Sequence, residues 1–355
     1  MRITYIVPYF RDATTGGGDR AQEFARRLVQ RGHQVRLVAD AAPAAARQPA
    51  DLVVATGPLR AATVRGALAG YRSRTPLVVE APDLGPERTG ARDVSGPAGR
   101  AIARGLETLV YRRSAAVVAL TPRVADRIRR RFPGLPVEMI PHGCDFDPFV
   151  GADRAGAALR ARTPWLGDRP LLLYAGPLGP ANGVEHLARA SAALAELDPD
   201  VRTVVVGDGP RAGVVQSLAA GLGTLDRTFF VLNAAARPDV VAWFGACDLA
   251  MSTLADRPQL RGVAPALVFD ALAASKPVAV NYGGWLTDLL VETGAGVWLP
   301  PDDPAQAAKM INHLLDDPRG RAEARAAAAG LAARRFNRGR LFERFHEVLM
   351  TAAGR

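Results

Sequence analysis

Residues 171–187 read LLLYAGPLGPANGVEHL: an apolar run of strand length, a glycine- and proline-rich turn from Gly176 to Gly183, then the opening of a helical pattern. That succession is one strand-to-helix step of a parallel sheet, whose next strand needs a crossover helix before it can run the same way. Downstream the alternation continues, predicting strands at 171–175, 202–206, 229–232, 249–252, 278–281 and 297–299. Helices are expected between them at 184–197, 211–220, 238–246, 266–274 and 304–315, then an Ala/Arg-rich helix at 319–335 and an amphipathic one at 341–350.

Upstream the same grammar appears once more. Strands are expected at 3–7, 34–38, 51–55, 77–80, 116–120 and 137–140, with helices at 20–30, 59–69, 97–112 and 122–131. The fold class is therefore α/β, two Rossmann-like doubly wound domains, with ligands expected at the carboxyl ends of the strands in a crevice that the two share. A chain of 355 residues exceeds the size at which one core stops growing. Residues 151–169 have no strand pattern, and the linker is placed there: a first domain at 1–160, a second at 165–335, and a terminal helix at 336–355 returning to the first.

Composition narrows the class. The chain is 48% hydrophobic and 23% charged, the profile of a globular protein, and no apolar run is long enough to span a bilayer. The opening MRITYIVPYF reads as a buried strand and not as a signal peptide, so a cytoplasmic location is expected. Cys144 and Cys247 show neither metal-ligand nor redox spacing. Residues 1–164 hold 26 arginines against 15 acidic residues, whereas residues 165–355 hold 19 basic and 20 acidic ones. Either the first half faces something anionic, a membrane surface or a phosphorylated substrate, or its arginines are solvated surface charge.

Motifs then suggest chemistry, each with a plainer reading beside it. The loop Thr14 to Asp19, with Gly16 and Gly17, lies between the first strand and first helix, where backbone N–H groups and a helix N-terminus can hold a phosphate. A tight turn explains it equally well. Gly176 to Gly183 occupies the corresponding place in the second half, and two such loops facing each other would clasp one diphosphate. Gly207-Asp208-Gly209-Pro210 reads chiefly as a structural turn. Asp270, on a helix of Ala, Leu, Phe and Val, is costly unless it faces a cleft or partner, and is a candidate ribose binder. Glu80 and Asp83, at a strand end, are the candidate catalytic carboxylates that orient an acceptor hydroxyl, or Asp83 caps a turn. The five histidines lack metal-ligand spacing, and basic-aromatic interleaving is absent, so neither a metal nor nucleic acid is expected.

Taken in order, these strings resemble the retaining glycosyltransferases of the GT-B fold, family 4. Gly16-Gly17, the helix closing in Leu28 to Val35, Leu120-Thr121-Pro122, Ile140 to Asp145, Gly176 to Gly183, Gly207 to Pro210 and Phe269 to Val278 carry the resemblance across nearly the whole chain. Residues 80–87 (EAPDLGPE) and 269–285 (FDALAASKPVAVNYGGW) look most like a bacterial subgroup that transfers N-acetylated deoxy-amino sugars in surface polysaccharide assembly.

The resemblance implies transfer of a hexose or N-acetylamino sugar from a nucleotide diphosphate donor, UDP-linked by expectation, to a lipid-linked, polysaccharide or small-molecule acceptor. It further implies retention, a front-face displacement, no metal and no cofactor. Gly16, Gly17, Gly176 and Asn182 would surround the diphosphate. Asp270 would hold the ribose, and backbone near Asn233 would hold the base, with Ala264 and Pro265 completing the donor set.

Five departures from the family pattern stand out. Pro177 and Asn182 stand where an Arg and a Lys usually serve the diphosphate, Gly262 and Asp270 where two glutamates usually stand, and no histidine falls within 81–83. Arg257, Arg261 and Lys276 are the candidate replacement cations. An anionic acceptor and peripheral association with the inner face of the plasma membrane would suit the basic first half. Two rivals stay open: a catalytically silent homologue that binds a nucleotide sugar or partners an active transferase, and a sugar-nucleotide epimerase.

Overall fold

The computed structural model describes residues 1–7, 20–39, 49–57, 75–82, 97–260 and 262–354, which divide into two compact units. The helix expected at 59–69 lies outside the described residues. Within them the first unit runs to His142 and resumes at Arg338, and the second runs from Gly143 to Asn337.

The first unit is built on β1 (Arg2–Val7), β2 (Gln34–Ala39), β3 (Leu52–Thr56), β4 (Leu77–Ala81), β5 (Ala116–Ala119) and β6 (Val137–Met139). They form one parallel sheet in the order β2-β1-β3-β4-β5-β6, so the winding reverses between β1 and β3. Side chains of a strand alternate in direction. Ile3, Tyr5 and Val7 accordingly face one cluster with Phe24 and Leu28 of α1 (Arg20–Gln30), while Ile6 faces another with Val110 and Tyr111 of α2 (Pro97–Arg113) and Ile128 of α3 (Pro122–Arg131). Both faces are buried, which is why these strands read as near-continuous apolar runs.

The second unit repeats the plan. Its strands are β7 (Leu171–Ala175), β8 (Arg202–Val206), β9 (Phe229–Leu232), β10 (Leu249–Ser252), β11 (Val278–Val280) and β12 (Gly296–Trp298), in the order β12-β11-β10-β7-β8-β9, all parallel. Around them lie α4 (Ala152–Ala161), α5 (Val184–Leu197), α6 (Ala212–Gly221), α7 (Arg237–Ala246), α8 (Ala266–Ala273), α9 (Trp285–Thr293), α10 (Pro304–Asp316) and α11 (Pro318–Arg335). The last helix, α12 (Arg338–Ala352), packs in the first unit: Leu341, Phe342, Phe345 and Leu349 join the cluster under β1.

The linker expected at 151–169 is corrected by α4, which is part of the second unit. Its composition of Ala, Gly and Arg serves a close helix contact and not flexibility: a Cβ on Gly156 or on Gly245 of α7 would overlap the backbone of the facing helix. The contact division therefore falls earlier, between His142 and Gly143.

Candidate functional site

In the second unit the turns at the carboxyl edge lock one another. Gly183, at φ +58°, ends the loop after β7, and a Cβ there would lie 2.5 Å from the Leu254 carbonyl carbon in the loop after β10. Asn281, following β11, grips that same Leu254 from both sides: its Oδ1 accepts from the Leu254 N–H at 2.8 Å, and its Nδ2 donates to the Leu254 carbonyl at 3.1 Å. Gly207 follows β8 so closely on Gly176 that a Cβ would overlap the Gly176 carbonyl. Beside these turns start α5 and α8, neither with a side-chain cap. Uncapped first turns present N–H groups and the positive end of the helix dipole, the usual receptor for an anion.

Gly176 donates to Val206 O at 3.0 Å, closing the end of β7. Asn182 braces its own loop: Oδ1 accepts from the Gly179 N–H at 3.1 Å, and its carbonyl accepts from Thr253 Oγ1 at 2.8 Å. Tyr174, below it, donates to Pro177 O at 2.8 Å, and burial raises its phenol well above the usual range. Asn233 is exposed after β9, while Ala264 is buried and Pro265 is the N-cap of α8. Gly16 and Gly17 lie outside the described residues, as do Asp83 and Arg261.

Asp270 is buried on α8, and both its oxygens accept from Arg237, Oδ2 from Nη1 at 2.7 Å and Oδ1 from Nη2 at 2.8 Å. Arg237 opens α7 and lies over the Phe149 ring at 5.0 Å. Burial works against its charge, but the bonds to Asp270 outweigh it and raise its pKa. The Asp270 carboxylate therefore meets a cation first, leaving a ribose only its remaining lone pairs. Of the replacement cations, Arg257 is exposed on the loop after β10. Lys276 is a correction. It precedes β11 and so stands at the amino edge, where Nζ donates to Gly245 O at 3.0 Å and to Asp153 Oδ1 at 3.4 Å. Arg237, which the motif reading passed over, carries one signal: an Arg-Pro pair at a helix start.

At the carboxyl edge of the first sheet a second cluster gathers. Glu80 on β4 is buried and accepts from Tyr5 Oη, from Arg20 Nε at 3.0 Å and from Thr56 Oγ1 at 3.2 Å. A carboxylate so engaged anchors Arg20, Tyr5 and Thr56, and keeps only its remaining lone pair for an acceptor hydroxyl. His142 is partly buried, and desolvation, then Arg20 and Arg338, push its pKa down to about 3, so the imidazole is neutral. The arginine faces are partly neutralised: Arg131 and Arg127 of α3 pair with the buried Glu107 at 2.9 and 3.7 Å, and Arg129 pairs with Asp126 at 3.3 Å. Among the described residues no group of three or more His, Cys, Asp or Glu is placed to hold a metal ion, and no helix is long and apolar enough to cross a membrane.

Two doubly wound parallel sheets of six strands each, the second with locked glycine turns at its carboxyl edge, define the GT-B class of glycosyltransferase. The "Glycosyl transferases group 1" profile matches residues 157–331 and the "Glycosyl transferase 4-like domain" profile residues 42–143, and the chain belongs to this family. It is 27% identical over 240 residues to an alpha-D-kanosaminyltransferase of Streptomyces kanamyceticus, covering 66% of this chain and 60% of that one. The D-inositol 3-phosphate glycosyltransferase 1 of Catenulispora acidiphila is 28% identical over 321 residues, covering 86% and 74%. The match thus spans less than two thirds of the kanosaminyltransferase. Among solved structures, Anabaena Alr3699/HepE in complex with UDP and glucose aligns with a TM-score of 0.75 at 19% identity, over 99% of this chain and 100% of that one.

Proposed function

We propose that the protein transfers a glycosyl group from a nucleotide diphosphate sugar, UDP-linked, to a hydroxyl acceptor with retention and without a metal. The observation that carries this reading is the locked set of turns after β7, β8 and β10 beside the uncapped starts of α5 and α8, a rigid receptor for a diphosphate. Donors fixed before the reaction stabilise the leaving phosphate as its charge develops. The UDP and glucose bound by the structural neighbour support a uridine donor. The relative named for D-inositol 3-phosphate supports an acceptor bearing a phosphate.

Incubating the purified full chain with UDP-, GDP- and dTDP-sugars, with phosphorylated and neutral acceptors, tests the proposal. Expected are nucleoside diphosphate release and a product whose anomeric proton coupling keeps the donor's configuration. Failure to bind any donor would sink it. A silent, sugar-nucleotide-binding homologue is the second reading, favoured by Pro177 in place of a cation, Asn182 turned inward, and Asp270 held by Arg237. Donor binding without turnover would select it.

Peripheral membrane association belongs to the same proposal. On α2, Ile102 is 65% exposed and Leu106 36% exposed, in a stretch that also carries Arg104. Apolar side chains beside arginines suit an anionic lipid surface. Co-sedimentation with anionic vesicles at low salt, lost at high salt, is the expected result, and its absence removes the membrane claim.

A further inference from the structure

Arg20 opens α1 and is 6% exposed, so its guanidinium has left water almost completely. Two of its nitrogens are satisfied: Nε donates to Glu80 Oε1 at 3.0 Å and Nη1 to Pro141 O at 2.5 Å. Nη2 is buried and has no hydrogen-bond partner. A buried donor without a partner costs free energy, and a native structure retains one where something else completes it.

Where it lies says what that something is. Tyr5, Thr56 and Glu80, which with Arg20 make one network, sit on β1, β3 and β4, and Pro141 follows β6. The guanidinium thus stands at the carboxyl edge of the sheet by the reversal between β1 and β3, where ligands of doubly wound folds bind. The cation–π contact of its Cζ with the Phe24 ring, 4.2 Å from the centroid, and the two anchored nitrogens fix the third in place. Glu80 pairs with Arg20, and Arg338 brings a second guanidinium to the same surroundings, since both arginines act to keep His142 uncharged. A partner there is a hydrogen-bond acceptor bearing negative charge.

We propose that Arg20 Nη2 is the receiving donor of a phosphoryl subsite in the first unit. This deepens the transferase reading and rests on it only for the source of the phosphoryl group, the donor's diphosphate or an acceptor's phosphate. Glu80 is then a positioning residue: it aims the guanidinium and tempers its charge.

The test measures affinity of the full chain for inorganic phosphate, UDP and glucose 6-phosphate by calorimetry, in wild type, Arg20→Lys and Glu80→Gln. Arg20→Lys keeps the charge but loses the fork that reaches Glu80, Pro141 and a third acceptor together, and affinity should fall about tenfold or more. Glu80→Gln removes the competing charge, so affinity should rise. Opposite signs are the result expected, because a purely structural ion pair would lose stability in both variants and shift neither affinity. Loss for UDP alone assigns the subsite to the donor, loss for glucose 6-phosphate alone to the acceptor, and loss for neither overturns the proposal.

Should Arg20→Lys not fold, wild-type crystals soaked in tungstate decide. Density within hydrogen-bond distance of Nη2 is expected, and its absence at saturation overturns the proposal. Wild type that binds phosphate at Arg20 but no nucleotide would instead remove the transferase reading and leave the subsite standing.

Discussion

Arg237 and Asp270 have side chains only 17% and 11% exposed, so each is the other's main protection against desolvation. Truncating one strands the other: Arg237→Ala should cost about 3 kcal/mol or more in urea denaturation, while the double change to Met and Asn should recover much of it. A loss below ~1 kcal/mol for the single variant would show the pair to be solvent-screened. His142 offers a prediction in pH. Its folded pKa of about 3 lies below the unfolded value of ~6.5, so the fold favours the neutral ring. Its contribution is complete above that unfolded value and declines as pH falls toward the folded one, by about 2 kcal/mol at pH 5. In His142→Asn this part of the slope between pH 7 and pH 5 should vanish, as read by circular dichroism. The Arg237–Asp270 pair was not legible beforehand, because it joins residues 33 positions apart in sequence. Lys276 shows the converse: a loop position suggested a replacement cation, but only the sheet's direction reveals that the turn before β11 lies at the amino edge.

Elements were far more legible than side-chain partners, because their periods of 2 and 3.6 are local properties of the chain. The residues of β1 show this: Ile3, Tyr5 and Val7 divide from Ile6 as an alternating strand must. What failed was α4, since Ala and Gly are read as loop or linker until a facing helix explains them. Gly156 and Gly245 lie 89 positions apart, and their backbones meet where no side chain fits. Gly245→Ala should accordingly lower stability by about 1–3 kcal/mol through overpacking. Gly105 is the internal control. It sits within α2 with open space around its would-be Cβ, so Gly105→Ala should stabilise by about 0.5–1 kcal/mol through helix propensity alone. Thermal melts of the two variants moving in the same direction would contradict this account of why each glycine is present.

At the scale of the molecule, the chain builds two units, and α12 returns to complete the earlier one. Phe345 of α12 is fully buried, stacks with Tyr5 at 6.3 Å and tilts against Phe24 at 4.9 Å, so the first unit's core contains residues more than 300 positions apart. Such a core cannot be finished until α12 is made, which gives the unit high contact order. All four tryptophans, Trp165, Trp243, Trp285 and Trp298, belong to the second unit, so their fluorescence reports on that unit while circular dichroism reports on both. Phe345→Ala removes a large buried ring and should cost the first unit about 3–5 kcal/mol. The expected outcome in urea is a dichroism curve that splits, its early phase shifted to lower denaturant while the fluorescence midpoint holds. Were the fluorescence midpoint to fall in step, the two cores would be melting as one cooperative body, because two-state unfolding gives coincident transitions by every probe.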